Sequence, residues 1–275
     1  MKRSGVGMLC SKMGWGIVLI VWLLVSCEKP TSRVVRVGVY DNPPKIELDK
    51  NGIPNGIFID ILEEIADQEG WKLDYINGTW EEGLNRLEQG QIDIMPDMAY
   101  SIVRNRQFDF NQITILSSWL QVYCRSGIRI GSIMDLNNLR VAVLEGSIQH
   151  QVCDDIQAQF GITFNRIVLP DYPGIIRQVD SGHVDAVIVG RFYGYRKDKL
   201  SSLLPSPLIL FPTTLHFAVA KGQNQDLIAD IDRHISQMMN NSGSVYYHSL
   251  AYWLSEKPHM FIPGFIIWTL VTILS

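Results

Sequence analysis

Between residues 33 and 255 the chain alternates short β-branched runs with amphipathic stretches, and then restarts that plan a second time. This order constrains the fold more than any other feature. A strand followed by a helix most readily returns to pair in parallel beside the first strand, so each set builds its own layered α/β unit. In the first set, residues 34–40 (VVRVGVY) form a β-rich run that Asp41-Asn42-Pro43-Pro44 breaks. Residues 58–69 follow as a helix with Ile61, Leu62, Ile65 and Ala66 on one face, and Gly70 ends it. A second strand is expected at 71–76 and a second helix at 80–88, with Leu84 and Leu87 inward and Gly90 past its end. The third strand is expected at 92–95.

The second set opens with strands at 120–125 and 139–144, then a helix at 148–159, a strand at 164–169, a helix at 173–181 and a strand at 184–189. A further strand at 215–220 precedes an amphipathic helix at 226–240, with Ile228, Ile231, Ile235 and Met238 at helical spacing. Two α/β units of similar plan predict a two-lobed protein. Residues 33–121 plus 217–255 form one lobe and 122–216 the other, with a small-molecule cleft between them.

The two ends have a different character. Lys2, Arg3 and Lys12 precede an apolar run at 15–25, the layout of a signal peptide and shorter than the about 20 residues of a full span. The run ends Leu24-Val25-Ser26-Cys27, which resembles a bacterial lipobox with Cys27 as the lipidated residue. The alternative is an N-terminal membrane anchor in which Cys27 is incidental. Either role for residues 1–27 places the chain from Glu28 onward on the outer face of a membrane. Residues 260–275 are apolar, contain Trp268 and lack Lys and Arg, and read as the start of a transmembrane helix of a longer membrane protein.

Composition excludes several classes. A net charge of −4 with no basic tract beyond the N-terminus gives no surface for nucleic acid. Cys10, Cys27, Cys124 and Cys153 form no CxxC, and no His stands at a metal-ligand spacing, so neither a metal nor another cofactor is expected. Cys124 and Cys153 are expected as buried free thiols. The chain has no G-x-S-x-G, HExxH or P-loop, and is expected not to be an enzyme.

Five segments in order resemble bacterial solute-binding protein family 3, the type II periplasmic binding fold. They are VRVGVYDNPPKIELDKNGIPNGIFIDILEEIA (35–66), WEEGLNRLEQGQIDIM (80–95), Arg104 with Phe110 six residues on, LRVAVLEGSIQ (139–149) and Gly182-His-Val-Asp-Ala186. The resemblance implies a hinged pair of lobes closing on a small organic ligand that carries a carboxylate. It places Arg104 at the carboxylate, since Arg offers two parallel N–H donors, and Ser147 at a helix start suited to anions. It makes Trp80 an aromatic wall and puts Tyr40, Asn42, Asp97, Ala99 and Gln149 on ligand-facing loops. The sequence departs from the pattern at Gly190, where amino-acid receptors usually carry an acid for the ligand's ammonium. Arg191 follows it, and together with Arg104 would suit a dianion or other organic acid.

The resemblance extends to the sensor regions of membrane-bound kinases and cyclases, implying a downstream signalling domain as partner. The alternative is a lipoprotein receptor feeding an ABC permease. Less favoured are a dehydratase-like or peptidoglycan-associated enzyme, which the same fold also supports.

Overall fold

The first lobe opens with β1 (Val34–Val39), a small hairpin of β2 (Glu47–Leu48) and β3 (Pro54–Asn55), helix α1 (Ile57–Glu69) and β4 (Lys72–Asn77). β4 pairs with β1 in parallel, as a right-handed crossover through α1 requires. These coordinates, a computed structural model, describe residues 32–194 and 203–255. The expected leader or anchor at 1–27, Cys27 within it, and the expected membrane segment at 260–275 lie outside the described residues. Among the described residues no helix is long and apolar enough to cross a membrane.

Helix α1 follows Gly56, whose φ of 121° only glycine adopts easily and whose added Cβ would strike the Lys45 and Pro44 carbonyls. The tight approach locks the β2–β3 hairpin against the helix start. Ile57, Phe58, Ile61, Leu62 and Ile65 are fully buried on one face, each contributing roughly 1.5–3 kcal/mol by leaving water. α2 (Trp80–Glu88) begins with a capping box between Thr79 and Glu82. β5 (Met95–Ala99), a 3-10 turn at Arg104–Arg106 and β6 (Phe108–Phe110) complete this part of the lobe.

β7 (Leu116–Arg125) then crosses into the second lobe. There β8 (Arg140–Leu144), α3 (Ile148–Phe160), β9 (Asn165–Leu169), α4 (Tyr172–Asp180) and β10 (Ala186–Gly190) repeat the first plan, with the one-turn α5 (Arg191–Gly194) after them. The long β11 (Leu203–Ala220) returns to the first lobe, where α6 (Gln225–Met239) and α7 (Val245–Leu254) close it. The main sheet runs β5-β11-β7-β10-β8-β9, with β6 also on β11. Hydrogen bonding is therefore continuous through the two crossing strands. Register shifts on β11 between Pro205 and Ile209 and between Leu210 and Thr213 mark where the sheet bends from one lobe to the other.

Each lobe is pinned by the same device. Arg36 on β1 grips Asp93 through its backbone N–H (2.8 Å), Nε (3.0 Å) and Nη2 (2.7 Å). Arg140 on β8 grips Asp185 through the same three donors at 3.0, 2.8 and 2.6 Å. The two Asp residues of the G-x-x-D turns are thus structural clamps between a first and a third strand. The Arg140 hydrogen bonds, joined by Arg125, hold the Asp185 carboxyl far below the usual carboxylate range against the opposing effect of burial. Its contribution is present above the unfolded aspartate pKa and is lost as pH falls toward the depressed folded value. Asp185→Asn is expected to cost about 2 kcal/mol at pH 7, with the gap to wild type narrowing steadily below about pH 4. Urea midpoints at pH 7 and pH 3 measure this, and a gap that widens on acidification contradicts it.

Several elements differ from expectation. The third strand, expected at 92–95, is β5 at Met95–Ala99. Asp93 and Ile94 instead bond the Arg36 backbone, and from Met95 onward the chain pairs with β11. Leu215 and His216 of β11 pair with Ala99 and Met98 of β5. α7 was not legible because its aromatic residues lack helical periodicity. It docks through Asp60 of α1, which accepts from Ser249 Oγ (2.6 Å) and Trp253 Nε1 (2.7 Å). Cys124 and Cys153 are buried free thiols, with burial pushing Cys153 up to about 12.

Candidate functional site

The loop leaving β1, the start of α2, the end of β5 and the 3-10 turn converge on the start of α3 and the end of β10. They enclose a cavity of about 50 Å³ between the lobes. Tyr40, Asn42, Trp80, Asp97, Ala99 and Arg104 line it from the first lobe, and Ser147 and Gln149 from the second. A wider cleft of about 400 Å³, sharing Arg104, Ser147 and Ile148 with the inner cavity, opens outward past Glu81 and Gln151.

Arg104 is the hinge of this geometry. Its guanidinium is buried, donates to the Ala99 carbonyl through Nη1 (3.1 Å) and crosses the cleft to the Gly146 carbonyl through Nη2 (3.2 Å). It lies over the Trp80 ring, 5.2 Å from the centroid. Its hydrogen-bond partners are carbonyls, not carboxylates. Burial draws its pKa down to about 10, because nearby Asp97 and Glu81 act only at a distance. A buried cation without an anionic partner is costly, and it is the group a carboxylate would complete.

Gly146 ties the lobes. Its carbonyl also accepts from Trp80 Nε1 at 3.1 Å. Its φ of 63° and the Glu81 carboxylate packed where a Cβ would stand leave glycine as the residue that fits. Ser147 caps α3, its Oγ accepting from the Gln149 N–H at 3.3 Å and donating to the Leu144 carbonyl at 2.6 Å. The Gln149 side chain is fixed by the Leu144 N–H (2.8 Å) and by Tyr172 (3.3 Å). The cavity thus meets the N-terminus of a 13-residue helix, whose dipole favours anions.

Asp97 occupies the floor in a left-handed conformation (φ 61°), with a fully buried side chain. Its Oδ2 accepts from Tyr40 Oη (2.7 Å) and Asn42 Nδ2 (2.8 Å). Lys45 Nζ straddles both carboxylate oxygens at 2.7 Å. Burial, with the Asp97 charge, holds the Tyr40 phenol far above its ordinary range, so it serves as a donor.

Eight of the nine residues expected at the ligand therefore line one cavity. Arg191 does not. Ser118 and Leu120 of β7 face the cavity, so strand alternation turns Trp119 to the opposite side. Arg191 stacks on Trp119 there, 4.4 Å from the ring centroid. The expected two-arginine dianion site does not assemble, and only Gly190 reaches the wall. Sequence reasoning missed Lys45, Ser118, Tyr172 and Thr213. The only signal for Lys45 was its place directly after Pro43-Pro44 of a ligand loop, where a solvated lysine looks the same.

With this geometry in view, comparison with known proteins is informative. No curated protein matches the chain. Among solved structures it is similar to a mutant of ArgBP from T. maritima (22% identity, covering 81% of this chain and 96% of that one, TM-score 0.72). It is similar to a putative L-cystine ABC transporter from Listeria monocytogenes (22% identity, 81% and 96%, TM-score 0.73). A third is a histidine kinase sensor domain with similarity to periplasmic binding proteins (22% identity, 82% and 97%, TM-score 0.70). At this identity the likeness establishes the fold, an α/β periplasmic binding protein. The model of one family, bacterial extracellular solute-binding proteins, family 3, matches residues 35–253, from β1 to the end of α7, and the chain belongs to that family.

Proposed function

We propose that this chain is an extracytoplasmic receptor domain that closes on a small carboxylate, amino-acid-like or an organic acid, and serves as the input of a transmembrane signalling protein. One observation carries the binding reading. Arg104 is buried at the interlobe seam, bonded to carbonyls of both lobes and left without a carboxylate. A ligand that supplies the missing anion binds the closed arrangement better than the open one, and that difference in affinity is the signal. Catalysis is not part of this reading: among the described residues lining the inner cavity Asp97 is the one carboxylate, and its charge is held by the Lys45 ammonium beside it.

The sensor role is supported by the similarity to a histidine kinase sensor domain, of which this chain covers nearly the whole length. Membrane anchorage through residues 1–27 and 260–275 belongs to the same proposal. The second reading, a lipoprotein receptor for an ABC importer, draws on the likeness to the Listeria protein. A coding frame that continues past Ser275 into a kinase or cyclase favours sensing, whereas adjacent permease and ATPase genes favour import.

A thermal-shift screen of the purified chain against amino acids, organic acids and polyamines tests binding. A ligand at a hundred times its Kd adds about 2.7 kcal/mol to the folded state, expected to raise Tm by roughly 5–10 °C. A screen in which only the polyamines shift Tm sinks the carboxylate reading.

A further inference from the structure

Resting on the reading that Arg104 receives a carboxylate, we propose that the ligand is a carboxylic acid without a free α-ammonium group, and that Lys45 sets this preference.

An α-amino acid carries two opposite charges into a site from which water is excluded, and each needs a partner there. Arg104 answers the carboxylate. The ammonium would need a carboxylate in the wall, and among the described residues lining the inner cavity there is one, Asp97. A carboxylate has about four acceptor sites. On Asp97, Oδ2 accepts from Tyr40 and Asn42, and Lys45 Nζ lies 2.7 Å from both oxygens, so an arriving ammonium would meet a carboxylate whose charge Lys45 already balances. The Lys45–Asp97 pair sums to zero charge and is almost wholly shielded, the two side chains being 7% and 0% exposed. The cavity is left with one net positive charge, on Arg104.

The opposite wall offers no substitute. Gly190 ends β10 with open space where a side chain would begin, nothing lying within 4 Å of a built Cβ. The other polar groups there, Gln149, Tyr172, Ser118 and Thr213, are neutral. Tyr172, raised by burial, stays a phenol. The Glu81 carboxylate lines the outer cleft against Gly146 rather than the inner cavity. A site with one cation and neutral walls is matched to a single carboxylate on an uncharged frame.

Calorimetry of the wild-type chain with matched pairs decides the point: butyrate against 2-aminobutyrate, 4-methylpentanoate against leucine, and 3-phenylpropionate against phenylalanine. In any pair that binds, the acid lacking the amino group is expected to bind at least about tenfold tighter. An α-amino acid that binds as tightly as its partner overturns the proposal and leaves the role of Arg104 standing. If no member of either series binds, the carboxylate reading itself falls, and this inference with it. Lys45→Met would release Asp97 to accept an ammonium, and the preference is expected to shrink by about tenfold. Lys45→Gln, which keeps a donor to Asp97 while removing the charge, is the second variant should the first not fold, with the same direction expected. An unchanged preference in either folded variant overturns the assignment of Lys45.

Discussion

Arg104→Met is expected to abolish ligand binding while leaving the empty protein as stable as wild type, or more stable. The two effects part because the guanidinium is buried and carries no carboxylate partner. Methionine keeps the stem packed against Trp80 and removes a charge whose burial costs free energy. It gives up two hydrogen bonds to carbonyls, those of Ala99 and Gly146. Each, made by a charged donor, is worth about 1.5–3 kcal/mol, which the several kcal/mol that burying a lone ion costs offsets. In the complex the balance reverses. Truncating one partner of a desolvated, hydrogen-bonded charge pair costs about 2–5 kcal/mol, so at about 3 kcal/mol affinity falls a hundredfold or more. Titration calorimetry with any acid found to bind, set beside urea unfolding of the empty protein, measures both. A variant that loses stability in proportion to affinity would show that Arg104 is a structural residue.

Asp97→Ala is expected to be the most destabilising single change in the cavity, by about 3–5 kcal/mol. It leaves the Lys45 ammonium buried without its anion, strips Tyr40 of its acceptor and leaves Asn42 only its bond to Tyr40 Oη. A surface ion pair removed in the same way would cost under about 1 kcal/mol, so the magnitude alone distinguishes the two situations. The double variant Lys45→Met with Asp97→Leu is expected to recover most of the loss, since apolar residues of similar volume often replace a buried pair at little cost. Urea midpoints for the two single variants and the double complete the cycle. A loss of less than 1 kcal/mol for Asp97→Ala would mean that water reaches the pair.

Much of the fold could be read before any coordinates. α1, α3, α4 and α6 fall within a residue or so of their expected bounds, because a buried face at helical spacing is written in contiguous residues. Strands were harder. β5 moved because Asp93 is recruited to clamp Arg36. β11 extends well before 215 because it must span both lobes to join them. Neither cause is local. The site divides in the same way. Arg104, Trp80, Ser147 and Gln149 sit in segments with recognisable spacing and they converge, whereas Arg191, one residue beyond a true wall position, stacks away from the cavity on Trp119.

The sequence by itself determined the plan of two α/β halves, the order of their elements and the arginine that faces the gap, because periodicity and short motifs act over neighbouring residues. The tertiary structure alone decided the charge of the cavity. Lys45 and Asp97 stand 52 positions apart, and a lysine in a loop looks the same whether solvated or buried. Folding brings the two together in a place that excludes water, where Coulomb attraction is strong and an unpaired charge is expensive. That contact balances the Asp97 charge and leaves the cavity with one net positive charge, on Arg104, to choose the ligand.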